Sequence, residues 1–174
     1  PHGQFVAVHD GTIVGYCATF VIAEAFALSP HTWHEITGNG FASRHDLNGT
    51  WLYGMDVSVD PDHRRLRIGQ RLYNVRKALA RELGLKGIVF GGRMPGLSRR
   101  LREVGSAEAY LEAVRERKLR DPVINFHMAQ GFEAIGVLKG YEIGDKESLG
   151  FASLMVWRNP EYDEGRERET EALA

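Results

Sequence analysis

Val57-Ser58-Val59-Asp60-Pro61-Asp62-His63-Arg64-Arg65-Leu66-Arg67-Ile68-Gly69-Gln70-Arg71-Leu72-Tyr73 is the run that sets the fold class of this chain. The residues leading into it, Trp51 to Val59, read as a strand. Asp60-Pro61-Asp62-His63 then breaks it with a turn. Beyond the turn Ile68, Leu72, Val75, Leu79 and Leu83 recur at steps of 4, 3, 4 and 4. That spacing predicts an amphipathic helix, closed by Gly84. A turn that opens a helix is an anion site, because the first N–H groups lack internal partners and the dipole adds positive charge. Phosphate is the usual guest. Arg64, Arg65, Arg67 and Arg71 gather at the same end. There they oppose the dipole, a penalty that a bound polyanion reverses. Gly69 permits a close approach of ligand or backbone. The plainer reading is a solvated arginine face.

On the N-terminal side, Gln4 to His9 reads as a strand, Asp10-Gly11 as a hairpin turn, and Thr12 to about Ala23 as a second strand apolar on both faces. Residues 24–50 carry no period and read as a long loop, with a short helix near 24–28 or 31–36. On the C-terminal side, Lys86 to Phe90 is a short buried strand closed by Gly91-Gly92. Residues 93–105 look like a basic loop. Ser106 caps a helix to about Leu119. Asp121-Pro122 starts another, with Gly131 past its end. Residues 133–138 and 149–157 read as the last strands. The fold class is α/β, with a mixed, mostly antiparallel sheet flanked by helices.

Of the 174 residues, 22 are Lys or Arg and 23 Asp or Glu, a net charge of −1. That balance, and the lack of aromatics among the arginines, argue against a nucleic-acid partner. The best apolar run, Ile13 to Ala23, is 11 residues, short of the roughly 18 a membrane helix needs. The single cysteine, Cys17, excludes an internal disulfide or a Cys-based zinc site, and the expected setting is the cytoplasm. His31, His34 and His45 have no metal-ligand spacing, so no metal is expected. Residues 1–160 read as one domain and 161–174 as an acidic, frayed tail.

The run Val59-x-Pro61-x-x-Arg64-Arg65-x-Arg67-Ile68-Gly69-x-x-Leu72 resembles the acyl-CoA-binding motif of the GNAT acyltransferase superfamily, Arg/Gln-x-x-Gly-x-Gly/Ala at a helix start. Arg64 and Gly69 match, and Arg67 stands for the first Gly. The resemblance runs from about Phe5 to Pro160. Asn125 to Phe132 looks like the family's second helix, which ends in Gly-Phe. Ile36 to Gly40, Gly91 to Gly96, Asp121-Pro122-Val123 and Lys146 to Gly150 look like one subgroup, GNAT domains found beside carbon–nitrogen hydrolase (nitrilase-like) domains. In that subgroup the hydrolase comes after a segment like Trp157 to Pro160. This chain runs 14 residues further, so no hydrolase domain is expected within it, and the family's first elements would precede residue 1.

The resemblance implies a sheet splayed between the strand ending at Val59 and strand 86–90, with acetyl-CoA in the splay. Val57 and Val59 would pair with the pantetheine like an added strand. The phosphates would sit on Arg64, Arg65, Leu66, Arg67, Ile68, Gly69 and Gln70, with Asn125 nearby. His127 stands four residues before Gly131, where many of the family carry a Tyr acid. A His with a near-neutral pKa can give or take protons there. Asp56, on the motif strand and opposite in facing to Val57 and Val59, is the candidate base. The bland readings are a packed helix-face His and an edge carboxylate. Trp33, Trp51 and Tyr53 read as core or as acceptor-pocket lining, and Cys17 as an inert core thiol. The lead expectation is acetyl transfer to an amine, on a small molecule, peptide or protein, by direct attack. Two rivals stand beside it. One is a malonyl-CoA decarboxylase that passes acetyl to a carrier protein. The other is a CoA-binding regulatory module for a hydrolase partner. A homodimer is a further expected partner state.

Overall fold

The computed structural model describes residues 3–165. The part of the acidic tail beyond 165 lies outside them. In the tail's described part, Glu161 meets Arg81 at 3.0 Å.

Strands β1 (Gln4–His9) and β2 (Thr12–Ile22) form the hairpin at Asp10-Gly11. Both turn residues have positive φ, 47° and 77°, as a two-residue hairpin turn requires. Where one short helix is expected near 24–28 or 31–36, the structure has a helix at each place, α1 (Glu24–Ala27) and α2 (Trp33–Thr37). Strand β3 (Trp51–Val59) comes next, then a 3₁₀ turn over Pro61–His63, then helix α3 (Ile68–Glu82). Strand β4 (Gly87–Arg93) leads into α4 (Leu97–Val104) and α5 (Ala107–Arg115). Helix α6 (Pro122–Ala129), β5 (Glu133–Leu138) and β6 (Ala152–Arg158) complete the order.

Two expectations need correction. The basic segment 93–105 is not a loop: β4 extends to Arg93 and α4 occupies Leu97–Val104. Leu97 is fully buried there and Leu101 packs on the main core, and a single apolar face with many arginines hid that helix. The buried face of α3 also differs. Val75 is exposed, whereas Tyr73 and Arg76 are buried with Ile68, Leu72, Leu79 and Ala80. Residues 72, 76 and 79 are one helix face at steps of 4 and 3, so the stripe passes through an arginine.

The sheet runs β1-β2-β3-β4-β6-β5. Every pairing is antiparallel except β3 with β4. Those two pair only over Trp51↔Gly87, Leu52↔Ile88 and Tyr53↔Val89. Past that point each stays bonded to its outer neighbour, β3 to β2 as far as Val59 and β4 to β6 as far as Arg93. The sheet therefore opens as a V. One core cluster, with Tyr73, Phe90 and Phe132, fills the α3 and α5 side. A second, with Trp51, Tyr53 and Tyr141, fills the α1 and α2 side.

Candidate active site

The V opens into a cleft of about 760 Å³ lined by β3, α3, β4 and α6. Three local features build it. First, Met55 is an extra residue in β3: Ala18 pairs with Asp56 but Thr19 with Gly54. Such a bulge bends its strand and re-aims the residues beyond it. Second, β3 past Tyr53 has no strand on its inner side, so main-chain groups there lack a ladder partner. Third, α3 begins without a side-chain cap. The other N-termini with a polar residue before them are capped: Thr32 accepts from Glu35 N–H, Ser106 from Ala109 N–H, and Asp121 from the N–H groups of Val123 and Ile124.

The uncapped end is where the arginines lie. Arg64, Arg65 and Arg67 are exposed, line the cleft, and make no ion pair with any described residue. Arg65 and Arg67 have φ of 71° and 58°, the left-handed region where glycine is the unstrained residue. Arg67 thus keeps the glycine's backbone and adds a side chain. Gly69 lies just beyond on α3, where a Cβ would stand 3.4 Å from Phe126 Cζ.

Asp56, Val57, Val59, Ile68, Gln70 and His127 join these residues in the cleft wall. Leu66 and Asn125 stand apart from it. Leu66 faces the hollow between β1 and α3, and the Asn125 side-chain oxygen accepts from Asp121 N–H at 2.9 Å. Asp56 is exposed. One of its oxygens takes the Tyr16 hydroxyl and the other the Val57 N–H at 2.7 Å.

His127 is buried, with Nδ1 3.1 Å from the Tyr73 hydroxyl. Burial first, and the nearby Arg76 charge second, push its pKa down to about 4. The expectation of near-neutral titration is corrected: this imidazole is neutral at pH 7. Burial also lifts Tyr73 to about 12, so its hydroxyl stays protonated.

Sequence reasoning missed Gly54, Tyr73, Arg76, Phe90 and Phe126, all in the cleft wall. The legible signal for Arg76 was its place on the Leu72–Leu79 face. On the far side of the V, His31 Nε2 lies 2.8 Å from the Tyr53 hydroxyl, which lies 3.0 Å from that of Tyr141. Trp51 and Tyr53 are core residues, and Trp33 Nε1–H donates to the Met55 carbonyl. Burial lifts the Cys17 thiol above its usual range, as for an inert core cysteine. Among the described residues no group of three or more side chains is placed to hold a metal ion, and no helix is long and apolar enough to cross a membrane.

A family model described as "Acetyltransferase (GNAT) family" matches residues 1–97. The chain is 39% identical over 162 residues to the probable hydrolase YhcX of Bacillus subtilis (strain 168), covering 93% of this chain and 31% of that one. It therefore spans about a third of that relative's length. It is 35% identical over 162 residues to the uncharacterized N-acetyltransferase YkwB of the same organism, covering 93% of this chain and 71% of YkwB. Among solved structures it resembles the GphF GNAT-like decarboxylase in complex with isobutyryl-CoA, with a TM-score of 0.74 and 30% identity over 90% of this chain and 78% of that one.

Proposed function

We propose, for a chain that belongs to the acetyltransferase (GNAT) family, that the V-shaped cleft takes an acyl-CoA as co-substrate and that the acyl group passes to an amine by direct attack. One observation carries the reading: the long helix at the cleft starts uncapped, beside three exposed arginines without ion-pair partners among the described residues. Main-chain N–H groups of residues 65–69 and these guanidiniums match a diphosphate. The inner edge of β3 at Val57 and Val59 offers main-chain groups to an extended amide chain.

In this reading the Tyr73 hydroxyl donates to His127 Nδ1, leaving hydrogen on Nε2. A neutral imidazole then gives a hydrogen bond to the departing sulfur or the oxyanion, rather than acting as an imidazolium acid. Asp56 takes the amine's proton, directly or through water, and the Tyr16 hydroxyl steadies its carboxylate. The acceptor is an amine on a small molecule, peptide or protein. We further propose a hydrolase partner domain, a homodimer and a cytoplasmic setting, the last resting on the single cysteine.

Calorimetry with CoA and acetyl-CoA tests the reading. Micromolar binding that is lost in Gly69→Glu is the expected result, and no binding to the folded protein would overturn it. One rival has a specific support. The GphF GNAT-like decarboxylase shares this fold at 30% identity and a TM-score of 0.74, and His127 lies in the cleft wall where a proton donor or acceptor for malonyl-CoA would stand. Release of carbon dioxide from malonyl-CoA, without an acceptor, would favour that rival.

A further inference from the structure

Arg76 is 1% exposed, yet no carboxylate among the described residues pairs with it. Its guanidinium lies in the crotch of the V. A Cβ on Gly54 would stand 3.2 Å from Arg76 Nη2 and 3.2 Å from Phe90 Cβ, so β3 and β4 part around it. Nη2 donates to the carbonyls of Ala18, at 3.1 Å, and Asp56, at 2.7 Å. These are the two residues paired beside the Met55 bulge. Nε is buried and has no partner. The Cys17 thiol and the Tyr73 hydroxyl, which also take hydrogen bonds from the guanidinium, have raised pKa values and carry no charge, and His127 is neutral. The Asp56 carboxylate lines the same cleft but is turned to the Tyr16 hydroxyl and the Val57 N–H rather than to Arg76.

Two carbonyls do not require a full charge, since a neutral amide donor would serve them at a smaller desolvation cost. A buried cation without a counter-charge is expensive, and removing its partner from a buried pair is the destabilising case. The guanidinium lines the cleft that we read as the acyl-CoA site, at the end away from the arginines of residues 64–67. Arg76 is seven residues along α3 from Gly69, about 10 Å. The counter-charge that fits there is one carried in by the ligand.

Resting on the acyl-CoA reading, we propose that Arg76 is an anion site for the acyl group: the donor is an acyl-CoA whose acyl chain ends in a free carboxylate. The carboxylate takes guanidinium hydrogens on the cleft side, with a small shift of the side chain that uncovers the buried, unpartnered Nε, and Nη2 keeps its hold on the two strands. Arg76 selects among acyl chains and leaves the diphosphate end unchanged.

Titration calorimetry on the whole chain, near pH 7.5, decides this with two pairs of probes matched in carbon number: malonyl-CoA against propionyl-CoA, and succinyl-CoA against butyryl-CoA. Free CoA is measured alongside. The expected result is at least about tenfold tighter binding of the carboxylated member of one pair, the scale of one charge-assisted hydrogen-bond pair. Equal affinities within both pairs, with free CoA bound, overturn the proposal and leave the acyl-CoA reading standing. Failure of every probe, free CoA included, overturns that reading itself. In Arg76→Gln the preference disappears; a preference that survives the substitution also refutes the role. Should Arg76→Gln fail to fold, the matched pairs on the unaltered chain still decide.

Discussion

Replacing Gly69 by Glu separates the stability of the fold from the binding of a diphosphate. Gly69 is the second residue of α3, and its backbone lies outside the left-handed region. A Cβ there would make ordinary contact, 3.4 Å to Phe126 Cζ and 4.0 Å to Val59 Cγ2. Leaving glycine in a helix gains about 0.5 kcal/mol near its end. A carboxylate in the first turn adds about 0.5 kcal/mol, because α3 has no cap and no acidic residue there. The unliganded variant should melt about 2–4 °C higher, the shift that 1 kcal/mol gives a domain of this size. The same carboxylate faces any bound phosphate. At about 4 Å and an effective dielectric of 20, each charge pair costs about 4 kcal/mol, and screening leaves about half. Affinity for CoA should fall about thirtyfold or more. Thermal unfolding with and without CoA, joined to calorimetry, reads both quantities. A variant that melts below the parent, or that CoA stabilises as well as the parent, would overturn this account of the helix start.

Arg67→Gly, which relieves a left-handed φ of 58°, should raise the chemical-denaturation midpoint, with a gain of up to about 1 kcal/mol. Gly91→Ala should cost about 1–3 kcal/mol, because the added Cβ meets the Tyr141 ring at 2.3 Å. With Tyr141→Leu in the same chain, urea unfolding should show little of that cost remaining. His127 is neutral when folded, with a pKa of about 4 against 6.5 unfolded, so the unfolded chain binds the extra proton. Its contribution, about 3 kcal/mol, is complete above pH 6.5 and is lost as pH falls towards 4. His31, lowered in the same direction by burial, adds to that slope, and His127→Phe should flatten its own share in denaturation curves run across this window.

Periodic and capped elements were legible because their signals are local. Asp10-Gly11 dictates its turn, Ser106 and Asp121 cap the helices they precede, and the apolar run of β2 is buried from Cys17 to Ile22. The arginines and Gly69 could be assigned to one end of one helix from their spacing alone. What stayed hidden depends on strands far apart in sequence. The Met55 bulge exists only in the register of β3 against β2. Arg76 looks like one more surface arginine until Leu72 and Leu79 are taken as its neighbours on the helix instead of Val75. Nothing local distinguishes a titrating His127 from a neutral one. Its pKa is set by burial and by Arg76, 51 positions earlier in the chain.

The cleft and the buried arginine are consequences of one arrangement. Parallel pairing of β3 and β4 stops after Tyr53↔Val89 because β3 gains a residue at Met55, bends, and gives its Asp56 carbonyl to Arg76. The guanidinium then occupies the space beneath Gly54 that a continued ladder would have closed. A single helix therefore presents positive charge at two depths of the same opening: amides and three arginines at its mouth, and Arg76 two turns inside. An apolar residue at 76 would leave the two carbonyls unpaired, a neutral amide would serve them without any charge, and a carboxylate paired with Arg76 would quench its charge. The chain does none of these, so the inner charge is held in place by the backbone and, in the reading proposed above, left for a ligand to neutralise.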